Sequence, residues 1–273
     1  MSRLAIFLLG PFHVTLDGRA VADFEYDTVR ALLAFLALES DRPHRREMLA
    51  GLLWPQVSDR VARNNFRNAL FTLRRAIGDA TAQIPFLDIT RDTVQFNPQS
   101  DHTLDVRAFN THLNACAAHR HRNSKICPQC THARAQAIAL YRGNFLEQFS
   151  LASAELEEWI LRQREHLRLR ALDALFQLSD FHARREKHAA AAQFARRQLE
   201  LDAWREEAHR QLMRAYARAG QRSDALAQYE ACRKILRDEL ALEPVAETIQ
   251  LYEAIRDQTL QALSIFQIGR AHV

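Results

Sequence analysis

The sequence predicts a mostly α-helical protein of 273 residues in two parts. Small sheets accompany three helices up to about residue 100, and helices alone run from 101 to 263. Three observations carry that expectation. The first hundred residues alternate short strand-like runs with helical ones and end in a hairpin pattern. Beyond Asp101, apolar residues recur at the three- and four-residue spacing of a helix face. Glycine is scarce, at seven residues, and 48% of the chain is hydrophobic, which favours packed helices over turn-rich sheets. The length allows two domains, each with its own core.

Residues 4 to 22 read as short strands, LAIFLL, FHVTL and RAV, separated by Gly10-Pro11 and the Asp17-Gly18 turn. A helix from about Thr28 to Leu38 carries Val29, Leu32, Leu33, Phe35 and Leu36, and Asp41-Arg42-Pro43 breaks it. A second runs from about Arg45 to Leu53, closed by Trp54-Pro55. The third, Asp59 to Ile77, has Ser58 or Asp59 as N-cap and Gly78 just past its end. FLDI and TVQFNP then flank Thr90-Arg91-Asp92 as a hairpin. This is the layout of a winged helix-turn-helix behind a leading sheet.

The third helix holds the functional signal. At 100° per residue, Ala62, Phe66, Leu70, Leu73 and Ile77 form one apolar stripe. The opposite face carries Asn64, Arg67, Asn68, Phe71, Thr72 and Arg75. Solvated faces ordinarily mix Glu with Lys, whereas Arg and Asn bond bidentately to guanine and adenine edges in the major groove. The segment reads as a DNA recognition helix. The plainer alternative is a surface helix in an Arg-rich chain, which has three lysines to 34 arginines. Positive charge is local: residues 1 to 105 hold 12 Arg against 13 Asp plus Glu, but residues 59 to 75 hold five Arg against Asp59 alone. A whole-domain charge argument for nucleic acid therefore fails, and the case rests on one helix.

The string VRALLAFLALESDRPHRREMLAGLLWP…RNNFRNALFTLRRAIG resembles the winged-helix domain of the SARP-type transcriptional activators, itself similar to the OmpR/PhoB class. In that class the third helix lies in the major groove and the wing touches the adjoining backbone. The resemblance implies DNA contact by Arg63, Asn64, Arg67, Asn68, Thr72 and Arg75 in the helix and by Arg91 in the wing. Arg67 and Asn68 are the expected base contacts, with Arg63, Arg75 and Arg91 on phosphates. Two departures stand out: Phe71 is a poor base reader, and the hairpin lacks a basic cluster. Binding is accordingly expected to depend strongly on salt.

In the second part, LDVRAFNTHLNAC predicts a helix with Leu104, Val106, Phe109 and Leu113 apolar. Residues 132 to 141 predict another, and about Ser153 to Arg185 a long one followed by helical hairpins. Phe181, Ala190 and Phe194 recur about 35 residues later as Tyr216, Ala225 and Tyr229. That is the pattern of tetratricopeptide-like (TPR-like) pairs, which stack into a solenoid with a concave face; an irregular bundle is the alternative. These aromatics are core, while His166, His182 and His188 are expected at the surface. Two strings, ALYRGNFLEQFSLASAELEEWILRQREHLRLRALDAL and LELDAWREEAHRQLMRAYARAGQRSDALAQYEACRKILRDELALEP, resemble the bacterial transcriptional activator domain (BTAD) of SARP-like proteins. The two resemblances stand in the family's order and cover roughly residues 4 to 258.

The insert 116–132 carries its own signal. CAAHRHRNSKICPQC offers a C-x2-H and a C-x2-C pair, the donor set of a tetrahedral structural zinc. Cys116, His119, Cys127 and Cys130 are the expected ligands of one Zn2+, with His121 as substitute nitrogen. Unligated loop thiols are the alternative, and a redox CxxC lacks its βαβ setting. Cys232, at a small-residue helical position, is expected to be buried.

No G-x-x-x-x-G-K-[ST], G-x-S-x-G or metal-hydrolase motif occurs, so nothing argues for an enzyme. No apolar run reaches the ~18 residues needed to span a bilayer. The start MSRLAIFLLGPF reads as a first strand rather than a signal peptide, so no membrane association is expected and the cytoplasm is the expected location. SIFQIGRAHV fits no helical pattern, and 264–273 is expected to be an unstructured tail. The leading reading is a sequence-specific transcriptional regulator, an activator by family. Its partners would be double-stranded DNA, bound as a homodimer, and RNA polymerase. The rival is a TPR-type interaction scaffold whose winged helix does not bind DNA.

Overall fold

The structure is a computed structural model that describes residues 3–119 and 127–259. Along the chain run β1 (Leu4–Phe7), β2 (His13–Leu16), β3 (Arg19–Ala20), α1 (Asp27–Leu38), β4 (His44–Arg45), α2 (Arg46–Leu53) and α3 (Asp59–Ala76). There follow β5 (Leu87–Ile89), β6 (Thr93–Phe96), β7 (His102–Leu104), α4 (Asp105–Ala118), α5 (Pro128–Leu140) and α6 (Ala154–Arg184). The chain continues with α7 (His188–Leu201), α8 (Glu206–Arg218), α9 (Arg222–Leu240) and α10 (Ala246–Arg256). It is a mostly α protein with a winged-helix front, as the sequence predicts. Two compact units divide it: residues 1–115 with 136–169, and residues 116–135 with 170–273. The division expected at residue 100 falls inside the first unit. The tail 264–273 and His121 lie outside the described residues.

In the first unit a four-stranded sheet has the order β3-β2-β1-β7, with β7 parallel to β1 and the other pairs antiparallel. The β2–β3 turn closes because Asp17 and Gly18 both take positive φ, 52° and 78°, as a two-residue hairpin requires. A second sheet has the order β4-β6-β5. Its β4 occupies the point where the sequence pattern predicts the start of the second helix; Arg45 pairs with Thr93, so the helix begins at Arg46. Between the sheets, α3 packs on α1 and α2.

One carboxylate joins several of these pieces. Asp105, 5% exposed, accepts the backbone N–H of Leu8 and Leu9, each at 2.9 Å, and that of Val106 at 2.8 Å. Arg142 approaches it at 3.5 Å. Burial pushes the Asp105 pKa above the ordinary carboxylate value, against the pull of the three N–H groups and Arg142. Elsewhere in this unit Trp159 of α6 donates to the Glu39 carboxylate at 3.0 Å and packs 5.2 Å from Phe35. Arg164 forks onto the carbonyls of Phe145, Leu146 and Phe149, satisfying a loop that carries Leu146 at a φ of 48°.

In the second unit each helix from α7 to α10 packs on the next. Ala191, Ala192 and Ala195 meet Leu212 and Ala215, small residues that let α7 and α8 approach closely. Met213, Ala225, Tyr229, Leu251 and Ile255 form the following cluster, where the Tyr229 and Tyr252 rings stack at 4.1 Å. The repeat positions Phe181, Ala225 and Tyr229 are buried, as is Cys232. His182 departs from expectation: it is half-buried and stacks on Phe194 at 5.4 Å, and of the three histidines only His166 is exposed. Polar clamps hold α10 at both ends. Glu206 accepts the Val245 N–H at 3.0 Å and the Thr248 hydroxyl at 2.6 Å, an anion at a helix start. Arg222 donates to the Ile255 carbonyl at 3.1 Å, a cation at its end.

His209 is 2% exposed and bonded through both ring nitrogens. Nε2–H donates to the Ala203 carbonyl at 2.9 Å, and Nδ1 accepts from the Gln228 amide at 2.6 Å. Only the neutral ring does both, and burial holds its pKa below the ordinary histidine value. The unfolded chain therefore takes up a proton that the folded one refuses, and stability drains as pH falls through the unfolded value of about 6.5 toward the lower folded one. Thermal melting is expected to drop from about pH 7 to about pH 5, and the drop to shrink in His209→Gln. Asp105→Ala strands buried N–H groups and is expected to cost about 3 kcal/mol in denaturant unfolding.

Candidate nucleic-acid interface

The orientation of α3 follows from its buried side. Ala62, Phe66, Ala69, Leu70, Leu73 and Ala76 are all buried, and Gly78 closes the helix at a φ of 65°. Ser58 occupies the N-cap position without a side-chain bond. The outward face presents Arg60, Arg63, Asn64, Arg67, Asn68, Phe71, Arg74 and Arg75. Thr72 is a correction. It is 9% exposed, because its position falls at the edge of the apolar stripe beside Ala76 rather than opposite it. Phe71, by contrast, is 66% exposed in the middle of the outward face.

Two clamps set the wing against this helix. Asp79, 2% exposed, accepts from Arg74 Nε at 2.9 Å and from the Leu87 N–H at 3.0 Å, tying the end of α3 to β5. Arg46 donates its backbone N–H to Asp92 at 2.9 Å and its side chain to the Thr90 carbonyl at 3.3 Å, with its guanidinium 5.8 Å over the Phe66 ring. Arg45 and Arg46 thus stand beside Arg91. The hairpin lacks a basic cluster only along its own sequence; in space β4 supplies one. A cleft of about 420 Å³ is lined by Arg45, Arg46, Arg63, Arg67 and Arg91, with Glu47, Asp92 and Phe66. A second, of about 340 Å³, is lined by Arg60, Val61, Arg63, Asn64 and Arg67. Sequence periodicity alone does not assign Arg45, Arg46 or Arg60 to this surface. The string HRRE was the visible signal, obscured because a helix start absorbed it.

The charges in this region are only partly neutralised. Arg74 is committed to Asp79, and Arg75 bonds Glu25. Arg63 meets Glu47 at 3.4 Å, but with 55% and 75% of the two side chains exposed the pair is weak and replaceable. Among the described residues Arg45, Arg60, Arg67 and Arg91 have no carboxylate partner. Five arginines against Glu47 and Asp92 leave the larger cleft with an excess of positive charge, which raises the local concentration of anions.

The second unit holds the expected cysteine cluster. His119, Cys127 and Cys130 come together, with their ligand atoms all within 4.8 Å of one another. Cys116 stands beside this group, its Sγ donating to the Cys130 carbonyl at 3.4 Å. No disulfide joins Cys116, Cys127, Cys130 or Cys232. The backbone N–H groups of Cys130 and Gln129, at the start of α5, hold the Cys127 thiol below its ordinary pKa, while burial pushes Cys130 up to about 12.

A family profile described as bacterial transcriptional activator domain matches residues 104–256, more than half of the chain. The chain belongs to that family. Its activator domain begins at the β7–α4 junction, one residue before Asp105. The transcriptional regulatory protein EmbR of Mycobacterium bovis is 26% identical over 280 residues, covering 95% of this chain and 65% of EmbR. EmbR of Mycobacterium tuberculosis matches to the same extent. The solved structure of Mycobacterium tuberculosis EmbR in complex with a low-affinity phosphopeptide shares the fold, at a TM-score of 0.69 and 23% identity over 94% of this chain and 66% of that one. This activator-domain protein thus spans about two thirds of the length of the curated relatives it matches. The SARP-like resemblance is borne out. No helix among the described residues is long and apolar enough to cross a membrane.

The two phenylalanines of α3 are opposites in burial. Phe66→Ala is expected to cost about 4 kcal/mol of stability in denaturant unfolding. Phe71→Ser is expected to change it by less than about 0.5 kcal/mol.

Proposed function

We propose that the chain is a sequence-specific DNA-binding transcriptional regulator, an activator, that places α3 in the major groove and the β5–β6 wing on the adjoining backbone. The observation that carries this reading is the set of unpartnered arginines from three elements: Arg45 of β4, Arg60 and Arg67 of α3, and Arg91 of the wing turn. They border the same face as Asn64 and Asn68. A helix that offers Arg and Asn between basic flanks matches base edges lying between two phosphate strands. Arg67 and Asn68 contact bases; Arg45, Arg63 and Arg91 hold phosphates. Arg75 reaches a phosphate once it gives up its exposed pairing with Glu25. Phe71, exposed where an apolar side chain gains nothing from water, meets a thymine methyl.

The helical unit, read as TPR-like repeats, carries contact with a second copy on DNA or with RNA polymerase, in the cytoplasm. Apolar surface around Trp204, Leu240, Leu242 and Val245, all exposed, supports an interaction role for it. The rival reading, a scaffold with a silent winged helix, predicts little DNA binding at any salt concentration.

Fluorescence anisotropy with the duplex upstream of the protein's own coding sequence, across a salt series, tests the proposal. Arg67→Ala/Asn68→Ala is expected to weaken binding on the order of 100-fold, from about 1–3 kcal/mol per base contact. Arg45→Ala/Arg91→Ala is expected to lower the slope of log K against log salt by about 2, with sequence preference retained. A folded wild-type protein that binds no duplex at low salt supports the scaffold instead.

A further inference from the structure

We propose that Cys116, His119, Cys127 and Cys130 hold one structural zinc ion in the second unit. The geometry carries the inference further than the spacing can. Zinc in a tetrahedral site sits about 2.3 Å from sulfur and 2.0–2.1 Å from imidazole nitrogen, which sets the nitrogen–sulfur edge of the tetrahedron at about 3.6 Å. In this structure His119 Nδ1 lies 3.6 Å from Cys127 Sγ and 3.5 Å from Cys130 Sγ. Both contacts have the length of a nitrogen–sulfur edge around one zinc as well as that of a hydrogen bond, and the ligand atoms of all three residues lie within 4.8 Å of one another.

Chemistry narrows the ion. Thiolates with an imidazole form a soft set that suits zinc and excludes magnesium or calcium, which take oxygen ligands. A Cys127–Cys130 disulfide is the competing arrangement for a CxxC pair, and the two sulfurs are not joined in this structure. The fourth ligand is Cys116, in the last turn of α4, three residues ahead of His119 and already in contact with the Cys130 carbonyl. Cys116 stands outside the trio whose ligand atoms lie within 4.8 Å of one another, so to ligate it must release its thiol proton to solvent and turn its sulfur away from the Cys130 carbonyl. Four protein ligands close the site, so its role is to clip the end of α4 to the start of α5. No substrate position remains.

The test is metal content of the full chain, purified under reducing conditions from zinc-supplemented cells and measured by plasma mass spectrometry. The expected result is about one zinc per chain, lost in Cys127→Ser and Cys130→Ser and kept in Cys232→Ser, whose buried thiol lies on α9. Cobalt added to metal-stripped wild type removes dependence on the folding of variants. Intense visible ligand-field bands with a thiolate-to-cobalt charge-transfer band support the site. A folded chain that purifies without metal and gives no such bands overturns it, as does a Cys127–Cys130 disulfide persisting in reductant. Full metal content with an unchanged cobalt spectrum in Cys116→Ser overturns the assignment of the fourth ligand. These readouts are independent of DNA binding, so failure of one proposal leaves the other standing.

Discussion

Burial of Phe66, Leu70, Leu73 and Ile77 against α1 and α2 decides where every other side chain of α3 points. Each buried side chain of this size contributes about 1.5–3 kcal/mol, whereas an exposed ion pair such as Arg63–Glu47 contributes about 0.2–1 kcal/mol. The apolar stripe therefore sets the helix rotation, and the surface pairs follow it. That ordering matters for function. Under the proposed DNA-binding role, Arg63 and Arg75 would exchange Glu47 and Glu25 for phosphate oxygens without loosening the helix, because these pairs are exposed.

The proposed DNA-binding surface also needs its wing at a constant distance from its helix. Asp79 supplies that through two charge-assisted bonds, one from α3 and one from β5, in a site from which water is nearly excluded. Arg46 closes the opposite side by engaging the wing turn while its guanidinium lies over Phe66. The same Phe66 thus sits under both the helix and the wing. Arg45 and Arg91 consequently come to one cleft although 46 positions separate them in the sequence.

Much of this was legible in the sequence. The three helices, the Asp-Gly turn, the hairpin and the outward set of α3 follow from short-range periodicity and turn chemistry, which are local properties. What escaped was non-local or very short. β4 and β7 are strands of two and three residues, too brief for alternation to register, and each exists because a distant strand pairs with it. With β4 unread, Arg45 and Arg46 passed for a helix start and the wing looked poor in charge. Thr72 failed for a different reason: a helical wheel sorts residues by angle, but the width of the buried stripe depends on what packs against it. The Cys/His insert lies between these cases, since spacing announced the donors and only the fold could say that His119 falls midway between Cys127 and Cys130 in contact distance.

The account rests on the claim that one basic face, and no other, receives DNA. Modification of arginines by phenylglyoxal, read by mass spectrometry with and without a saturating duplex, addresses it side chain by side chain. Protection is predicted for Arg45, Arg60, Arg63, Arg67 and Arg91, with Arg162, Arg218 and Arg233, which are exposed elsewhere, reacting at unchanged rates. Protection that falls instead on the helical unit, or that leaves the α3 arginines as reactive as before, would contradict the account.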